Sequence, residues 1–412
     1  MVSIAVMGHG VVGSGVVEVL SKNQQSIDRR AGEEIRLKYV LDLLDFPGLP
    51  YSDKFIKDFN IILNDPEIEI VVEVMGGLNP AYDFVKRCLL AGKSVVTSNK
   101  ELVAAKGGEL LSIAREKNVN FLFEASVGGG IPIIRPISQC LAANEIVEIL
   151  GILNGTTNFI LTKMFKEGMG FEDSLALAQK LGYAERNPDA DVNGHDTCRK
   201  ICILASLAFG KHVYPAQVST EGIAMVTALD VAYAASHGYA IKLIGQAKKL
   251  GDGRLQCLVA PMLVPGDSQL SSVDDVFNAI VVRGDATGDV MFYGKGAGKL
   301  PTASAVVADV IDCVKHRKAR KYLYWNDGNP DYIADISANT AALYVRAKAA
   351  DPAEAIRAVN ECFGPVHSLE SDIAPAHELA FLLPEGVEGE LRAKLKTLSA
   401  HLEPIQIMRI CK

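Results

Sequence analysis

Along the first 130 positions, short apolar runs alternate with amphipathic stretches. The runs at 3–7, 35–41, 70–74, 94–98 and 120–124 read as strands, and those at 11–22, 81–91 and 107–117 carry the 3.6-residue spacing of helices. Strand–helix alternation at this interval predicts βαβ units and a parallel sheet. From 131 to about 300 the pattern predicts strands at 146–153, 255–263 and 278–282, and long helices at 171–181, 196–208 and 231–250. That is a second α/β layer. Residues 321–340, rich in Asn, Asp, Tyr and Gly, read as a linker. The last 72 residues predict a strand at 342–348, a helix at 352–363, strands at 366–370 and 379–383, a helix at 387–401 and a strand at 405–410. This βαββαβ order is the ferredoxin-like pattern.

A chain of 412 residues exceeds the size at which one core stops growing, so two or three domains are expected. With 49% hydrophobic and 22% charged residues it is neither disordered nor collagen-like. The net charge of −7 argues against a nucleic-acid partner. A mean hydropathy of +0.17 raises the question of a membrane. Yet no window of about 18 apolar residues exists, so no transmembrane helix is expected. The chain opens on a strand-like run without a charged leader, which predicts no signal peptide. The eight cysteines show no CxxC spacing, so no zinc site is expected and they read as reduced thiols packed in the core of a cytoplasmic protein.

The first candidate chemistry is GHGVVG at 8–13, which follows a strand and opens a helix. In that context Gly8 permits a tight turn, Gly10 lets the backbone approach a pyrophosphate, and Gly13 lets helix and strand pack closely. Val11 and Val12 open the helix whose N-terminus faces the phosphates. The fold class is therefore α/β, with a Rossmann-type doubly wound dinucleotide domain. Asp42 ends the second strand, where a carboxylate accepts bonds from adenosine ribose hydroxyls; it also reads as an ordinary exposed strand-end acid. No Lys or Arg occurs from Tyr39 to Asp53. This leans towards NAD, or dual use, over NADP, unless Lys54 or Lys57 folds back. VVEVMGG at 71–77 and VVTSNK at 95–100 put further polar groups, Thr97, Ser98 and Lys100, at strand ends on the carboxyl edge of the sheet.

Two middle segments carry the remaining candidates. GILNGTTN at 151–158 offers amides and hydroxyls for a small polar ligand through Asn154, Gly155 and Thr156. In the stretch 182–200, Asp196 and Lys200 stand four apart on a predicted helix and share a face. A carboxylate beside a lysine can orient its ammonium for proton transfer, although the same spacing also makes a plain surface ion pair. Glu185, Asp189, Asp191 and Asp196 crowd together in sequence, a cluster that suits a substrate ammonium, a metal or a helix cap.

Taken in order, GHGVVGSG, VVEVMGG, VVTSNK, FEASVGGGIPII, GILNGTTNFIL, GYAE followed by GHD and RK, and YGKGAGKLPTASAV resemble homoserine dehydrogenase, from Ile4 to about Arg317. The resemblance implies NAD(P)-dependent interconversion of L-aspartate 4-semialdehyde and L-homoserine, in threonine, methionine and isoleucine biosynthesis. It assigns Lys200 as proton donor to the carbonyl oxygen, with Asp196 as its carboxylate neighbour. Glu185 and the cluster around Asp191 would take the substrate's amino group. Lys100 would lie by nicotinamide and substrate, and Gly182 and Gly298 would line the cofactor. Glu124, Val127, Gly129 and Ile131 match a monovalent-cation site, commonly filled by Na+. The implied domains are 1–130 with about 296–320 returning, a catalytic and dimerisation domain at 131–295, the linker at 321–340, and an ACT-like regulatory domain at 341–412. A homodimer or homotetramer and a threonine effector on the tail complete the expectations. The chain departs from the family in two places. The arginine many relatives carry near Leu44 is absent, and the turn that opens the first ACT helix reads DPAEA at 351–355, without the usual glycine.

Overall fold

A computed structural model describes residues 1–317, 319 and 323–411. The first two positions of the expected linker, 321 and 322, lie outside the described residues. The chain begins with β1 (Val2–Met7), α1 (Val11–Lys22), α2 (Gln24–Ala31), β2 (Ile35–Leu41), β3 (Phe55–Ile56), α3 (Phe59–Asn64), β4 (Ile68–Glu73), α4 (Ala81–Leu90), β5 (Ser94–Thr97), α5 (Lys100–Glu116) and β6 (Phe121–Leu122). Then follow β7 (Ile146–Ile152), α6 (Gly155–Glu167), α7 (Phe171–Lys180), α8 (Asp189–Val192), α9 (His195–Phe209), β8 (Ser219–Thr220), α10 (Ala228–Ser236), β9 (Tyr239–Lys249), β10 (Leu255–Pro265), β11 (Phe277–Gly284), β12 (Gly288–Lys295) and α11 (Lys299–Lys315). The tail contributes β13 (Thr340–Lys348), α12 (Pro352–Phe363), β14 (His367–Leu369), β15 (Glu378–Val387), α13 (Glu388–Thr397) and β16 (Glu403–Ile410). Two compact units result: 1–146 with 199–215 and 283–329, and 147–198 with 216–282 and 330–412. The boundary falls inside α9, after Cys198.

The first unit holds a sheet in the order β3-β2-β1-β4-β5-β6, paired in parallel throughout. β1 is buried over its whole length because it lies between β2 and β4 with helices above and below, the reason its sequence is an unbroken apolar run. Chain order reverses direction about β1 and β4. That switch point opens a crevice beyond the strands' carboxyl ends. Registers align those ends, since Met7 faces both Leu41 and Glu73. α11 packs on α1 so closely that a Cβ on Gly15 would lie 2.8 Å from the Lys299 carbonyl. Within the stretch expected as a linker, Trp325 is buried and its Nε1 donates to His212 Nδ1 at 3.0 Å.

In the second unit the strands run β11-β7-β9-β10-β16-β13-β15-β14. The expected helix at 231–250 is replaced by α10, a break at Gly238 (φ +76°), and β9, which pairs antiparallel with β10 along all eleven residues. Local spacing there fits a helix, but the partner strand offers a ladder that takes the backbone hydrogen bonds. The tail has the βαββαβ order and the strand order of a ferredoxin-like fold. It is continuous with the neighbouring sheet, because β16 pairs in parallel with β10, Met262 facing Arg409 and Leu263 facing Ile410.

Side chains alternate across β13. Leu343, Val345 and Ala347 enter the core with α12 and α13 residues. Tyr344 and Arg346 point the other way, both onto buried Asp230 of α10: Tyr344 Oη donates at 3.0 Å and Arg346 Nε at 2.7 Å. Arg346 also pairs with Glu378 at 2.7 Å. A second buried pair, Arg409 with Glu388 at 2.7 Å, joins β16 to α13. The DPAEA turn acts as a helix start: Asp351 accepts from the N–H groups of Ala353 and Glu354, and Pro352 occupies the first position.

None of the eight cysteines forms a disulfide; Cys140 is exposed and Cys362 half-buried, so those two differ from the expected core thiols. No helix among the described residues is long and apolar enough to cross a membrane.

Candidate active site

The nucleotide end is built entirely within the first unit. Gly8 has φ +99°, a left-handed conformation that suits glycine. A Cβ on Gly13 would fall 2.0 Å from the Gly8 carbonyl, so α1 can leave β1 at this angle only with glycine there. A Cβ on Gly10 would meet nothing within 4 Å. The loop is thus tight beneath and open above, the shape a pyrophosphate needs. Asp42 accepts from the His9 N–H at 2.7 Å and from the Leu44 N–H at 3.0 Å, which ties the end of β2 to the glycine loop. A cavity of about 610 Å³ is lined by Gly8, Gly10, Asp42, Lys57, Phe59 and Phe84, among others. Its apolar walls and single strand-end carboxylate fit an adenosine.

Several residues here were not singled out from the sequence. Buried Glu73 accepts from Thr97 Oγ1 at 2.6 Å and from the N–H groups of Met75 and Gly76, and burial pushes its carboxyl up. Asn99 caps α5 and donates to the Gly77 carbonyl at 2.6 Å. Together they fix the two strand ends from which Thr97, Ser98 and Lys100 project, with Lys100 the first residue of α5. An Asn directly ahead of a helical run is a cap signal legible in sequence. His9 packs edge-on to Phe46 and Phe55, and burial holds its imidazole below the usual histidine range.

The expected cation loop also lies in the first unit. Glu124, Val127, Gly129 and Ile131 are all buried. The Glu124 carboxylate accepts from the N–H groups of Ile133, Ile134 and Arg135 at 2.6–3.0 Å, capping the turn that follows. Its own N–H donates to Asp309, which pairs with Arg135. With that carboxylate spent on the turn, the four residues offer main-chain carbonyl oxygens, a hard donor set that fits a monovalent cation. Gly298 has φ +124° and precedes α11.

In the second unit, α6 starts at Gly155, where a Cβ would stand 2.8 Å from the Val276 carbonyl. Asn154 caps this helix and donates to Asp191 at 2.7 Å and Asp196 at 2.9 Å. Thr156 Oγ1 donates to the Tyr183 carbonyl at 2.6 Å, holding the turn that carries exposed Gly182 and Glu185. Of the acidic cluster, Asp191 and Asp196 are thus brought together by one amide, whereas Glu185 and Asp189 stay exposed. Further along α6, the Asn158 amide lies 3.0–3.1 Å from the carbonyls of Val273, Asp275 and Phe277, and its oxygen is 3.3 Å from buried Lys242. α9 carries Asp196 and, past the boundary after Cys198 and so in the first unit, Lys200, at 3% and 7% exposure. That burial removes the solvated surface ion pair as an account of the two.

A doubly wound sheet, a glycine loop shaped for a pyrophosphate and a helix bearing a buried lysine define a nicotinamide-dependent dehydrogenase. Residues 8–124 match the family described as the NAD binding domain of homoserine dehydrogenase, and 132–311 match the one described as homoserine dehydrogenase. The chain belongs to the homoserine dehydrogenase family. It is 46% identical to the enzyme of that name from Synechocystis sp. over 323 residues, covering 76% of this chain and 73% of that one. The crystal structure of a homoserine dehydrogenase from Thiobacillus denitrificans superposes with a TM-score of 0.87 at 36% identity, covering 99% and 97% of the two chains. A hyperthermophilic archaeal homoserine dehydrogenase in complex with NADPH aligns at a TM-score of 0.64 and 28% identity, covering 76% and 97%. The activity is that of an NAD(P)-dependent oxidoreductase interconverting L-aspartate 4-semialdehyde and L-homoserine.

Proposed function

We propose that Lys200 is the proton donor of this reaction, Asp196 its orienting carboxylate, and Lys100 a second cation by the nicotinamide and substrate. The observation that carries the reading is the burial of Asp196 and Lys200 one turn apart on α9. A nicotinamide nucleotide held by the Gly8–Gly13 loop would supply or take up the hydride at the carbon that is aldehyde in one substrate and alcohol in the other. During reduction, negative charge grows on the aldehyde oxygen; the Lys200 ammonium stabilises that charge and then delivers its proton. In the oxidative direction Lys200 must first be neutral, so oxidation quickens as pH rises. No covalent intermediate is needed, and no cysteine acts as nucleophile. Glu185 and Asp191 take the substrate ammonium. The first-turn N–H groups of Gly155 and Thr156, at the positive end of α6, suit its carboxylate.

The cofactor is NAD, or either nucleotide. Asp42 supports NAD, while Lys57 lines the same cavity, held 2.8 Å from Asp45, and supplies the one basic group that a 2′-phosphate would want there among the described residues. Glu124, Val127, Gly129 and Ile131 would hold a monovalent cation, Na+ in this reading. Assembly as a homodimer or homotetramer, a cytoplasmic location and a threonine effector complete the reading. For threonine, support comes from a cavity of about 510 Å³ in the second unit, lined by Tyr233, Pro352, Ser368 and Glu370 among others.

Steady-state rates with homoserine and each of NAD+ and NADP+, with and without threonine, test these points in the full chain. No turnover above buffer would sink the assignment. Lys200→Ala should abolish turnover yet leave nucleotide binding intact, and surviving activity would remove Lys200 from its role. Light scattering reads the oligomer.

A further inference from the structure

The Asn154 amide nitrogen has both of its donors committed to protein groups. An amide side chain has two N–H donors and two acceptor lone pairs. Both donors of Nδ2 are directed at carboxylates: Asp191 Oδ1 at 2.7 Å and Asp196 Oδ2 at 2.9 Å. The oxygen Oδ1 accepts from the Thr157 N–H at 2.8 Å, and the one proton of Thr157 Oγ1 is shared between Oδ1 at 3.0 Å and the Asn154 main-chain carbonyl at 3.2 Å. The residue is 5% exposed. A substrate reaching this point would find no free N–H on the side chain.

The amide instead does two jobs. Its oxygen starts α6. Its nitrogen bridges one carboxylate on α8 and one on α9, two groups of like charge. Each N–H···carboxylate contact favours the ionised form of its partner. One neutral group therefore keeps two neighbouring acids charged and fixes their spacing. A longer amide such as glutamine could not do the same, since the oxygen must stay on the first turn of α6 while the nitrogen reaches both acids.

We infer that Asn154 is a positioning residue for the reaction: by donating one N–H to Asp191 and the other to Asp196, it holds both carboxylates ionised and oriented. The inference rests on the roles proposed for Asp191 and Asp196. It adds that their geometry is set by a group that does not touch substrate.

Serine and aspartate cap helices about as well as asparagine. Asn154→Ser and Asn154→Asp thus preserve the start of α6 and remove the bridge. Serine has a single proton and cannot span both acids. Aspartate adds a third carboxylate beside Asp191 and Asp196, the titratable groups bonded to this amide, with Lys200 one turn further along α9. For Asn154→Ser, the expected result is a folded protein whose melting temperature falls by a few degrees, unchanged NADH affinity, and a loss of about 10–100-fold in kcat/KM for homoserine, as for one charge-assisted bond of this kind. For Asn154→Asp, the loss should be larger at pH 8. It should shrink as the pH falls to 6, because one of the three acids then holds a proton it can share. Parent-like kcat/KM in Asn154→Ser overturns the inference. So do parallel pH profiles for all three proteins, which is what a purely capping residue would give. Should the parent itself fail to oxidise homoserine, the reading of the function falls instead, and the two failures are distinct.

Discussion

Arg346→Met removes the cation that neutralises Asp230. The arginine is 5% exposed and Asp230 is fully buried, and their closest approach is 2.7 Å. Removing one partner of a buried pair typically costs about 3–5 kcal/mol, because the remaining charge stays desolvated. Asp230 keeps three other donors, Tyr344 Oη at 3.0 Å, the Thr227 N–H at 2.9 Å and Thr227 Oγ1 at 2.7 Å. The cost therefore falls near the low end, about 3 kcal/mol. In a unit of roughly 200 residues each kcal/mol lowers the melting temperature by about 2–4 °C, so a fall of ~6–12 °C is expected. Calorimetry on the full chain reads it. Asp230→Asn in the same background should restore part of the loss, since it removes the stranded charge. The stranded carboxylate should also have a raised pKa in the folded state. The folded protein then binds a proton that the unfolded chain does not, so the variant's deficit shrinks as pH falls from 8 to 5. A fall below about 2 °C, or a double variant no better than the single, would refute the reasoning.

Further predictions test other parts of the molecule. Gly13→Ala places a methyl 2.0 Å from the Gly8 carbonyl, so NADH affinity measured by fluorescence should fall more than about tenfold, with α1 displaced from β1. Asn158→Ala takes away the two N–H groups shared among three loop carbonyls and an acceptor for buried Lys242; unfolding in urea should show a loss of about 2–4 kcal/mol. Burial holds the His212 imidazole below the usual histidine range while Nδ1 accepts from Trp325 and Gly108. A depressed pKa stabilises the fold above pH 6.5 and loses that stability as pH falls below it. His212→Gln should therefore be less stable at pH 7.5 yet lose less stability than the parent between pH 7 and 5, as read by melting temperature.

What could be read in advance depended on how local the cause was. The glycine loop was legible because strand, turn and helix follow one another in 13 residues and each glycine answers a backbone demand. The tail's element order was legible for the same reason. β9 was not, since its residues fit a helix until β10 supplies a partner. The linkage of Glu73, Thr97 and Asn99 was hidden because strands far apart in sequence become neighbours only in the sheet. The two carboxylates that the Asn154 amide bridges, Asp191 and Asp196, lie 37 and 42 positions away and become its neighbours only in the fold. The ion pair of Arg346 with Asp230 lies between residues more than a hundred positions apart.

The parallel pairing of β10 with β16 carries a consequence for synthesis. β10 is buried at nearly every position once its neighbours are in place, and Met262 must wait for Arg409. At about 5–20 residues per second, a ribosome makes β10 roughly 7–30 seconds before β16. For that interval β8 already pairs with Leu258 and Val259, but the Met262–Leu263 end of β10 lacks a partner on that edge and stays open to any other chain that can add a strand. The second unit's sheet therefore stays incomplete until β16 has been made, and early termination within the tail would leave that end of β10 exposed to aggregation.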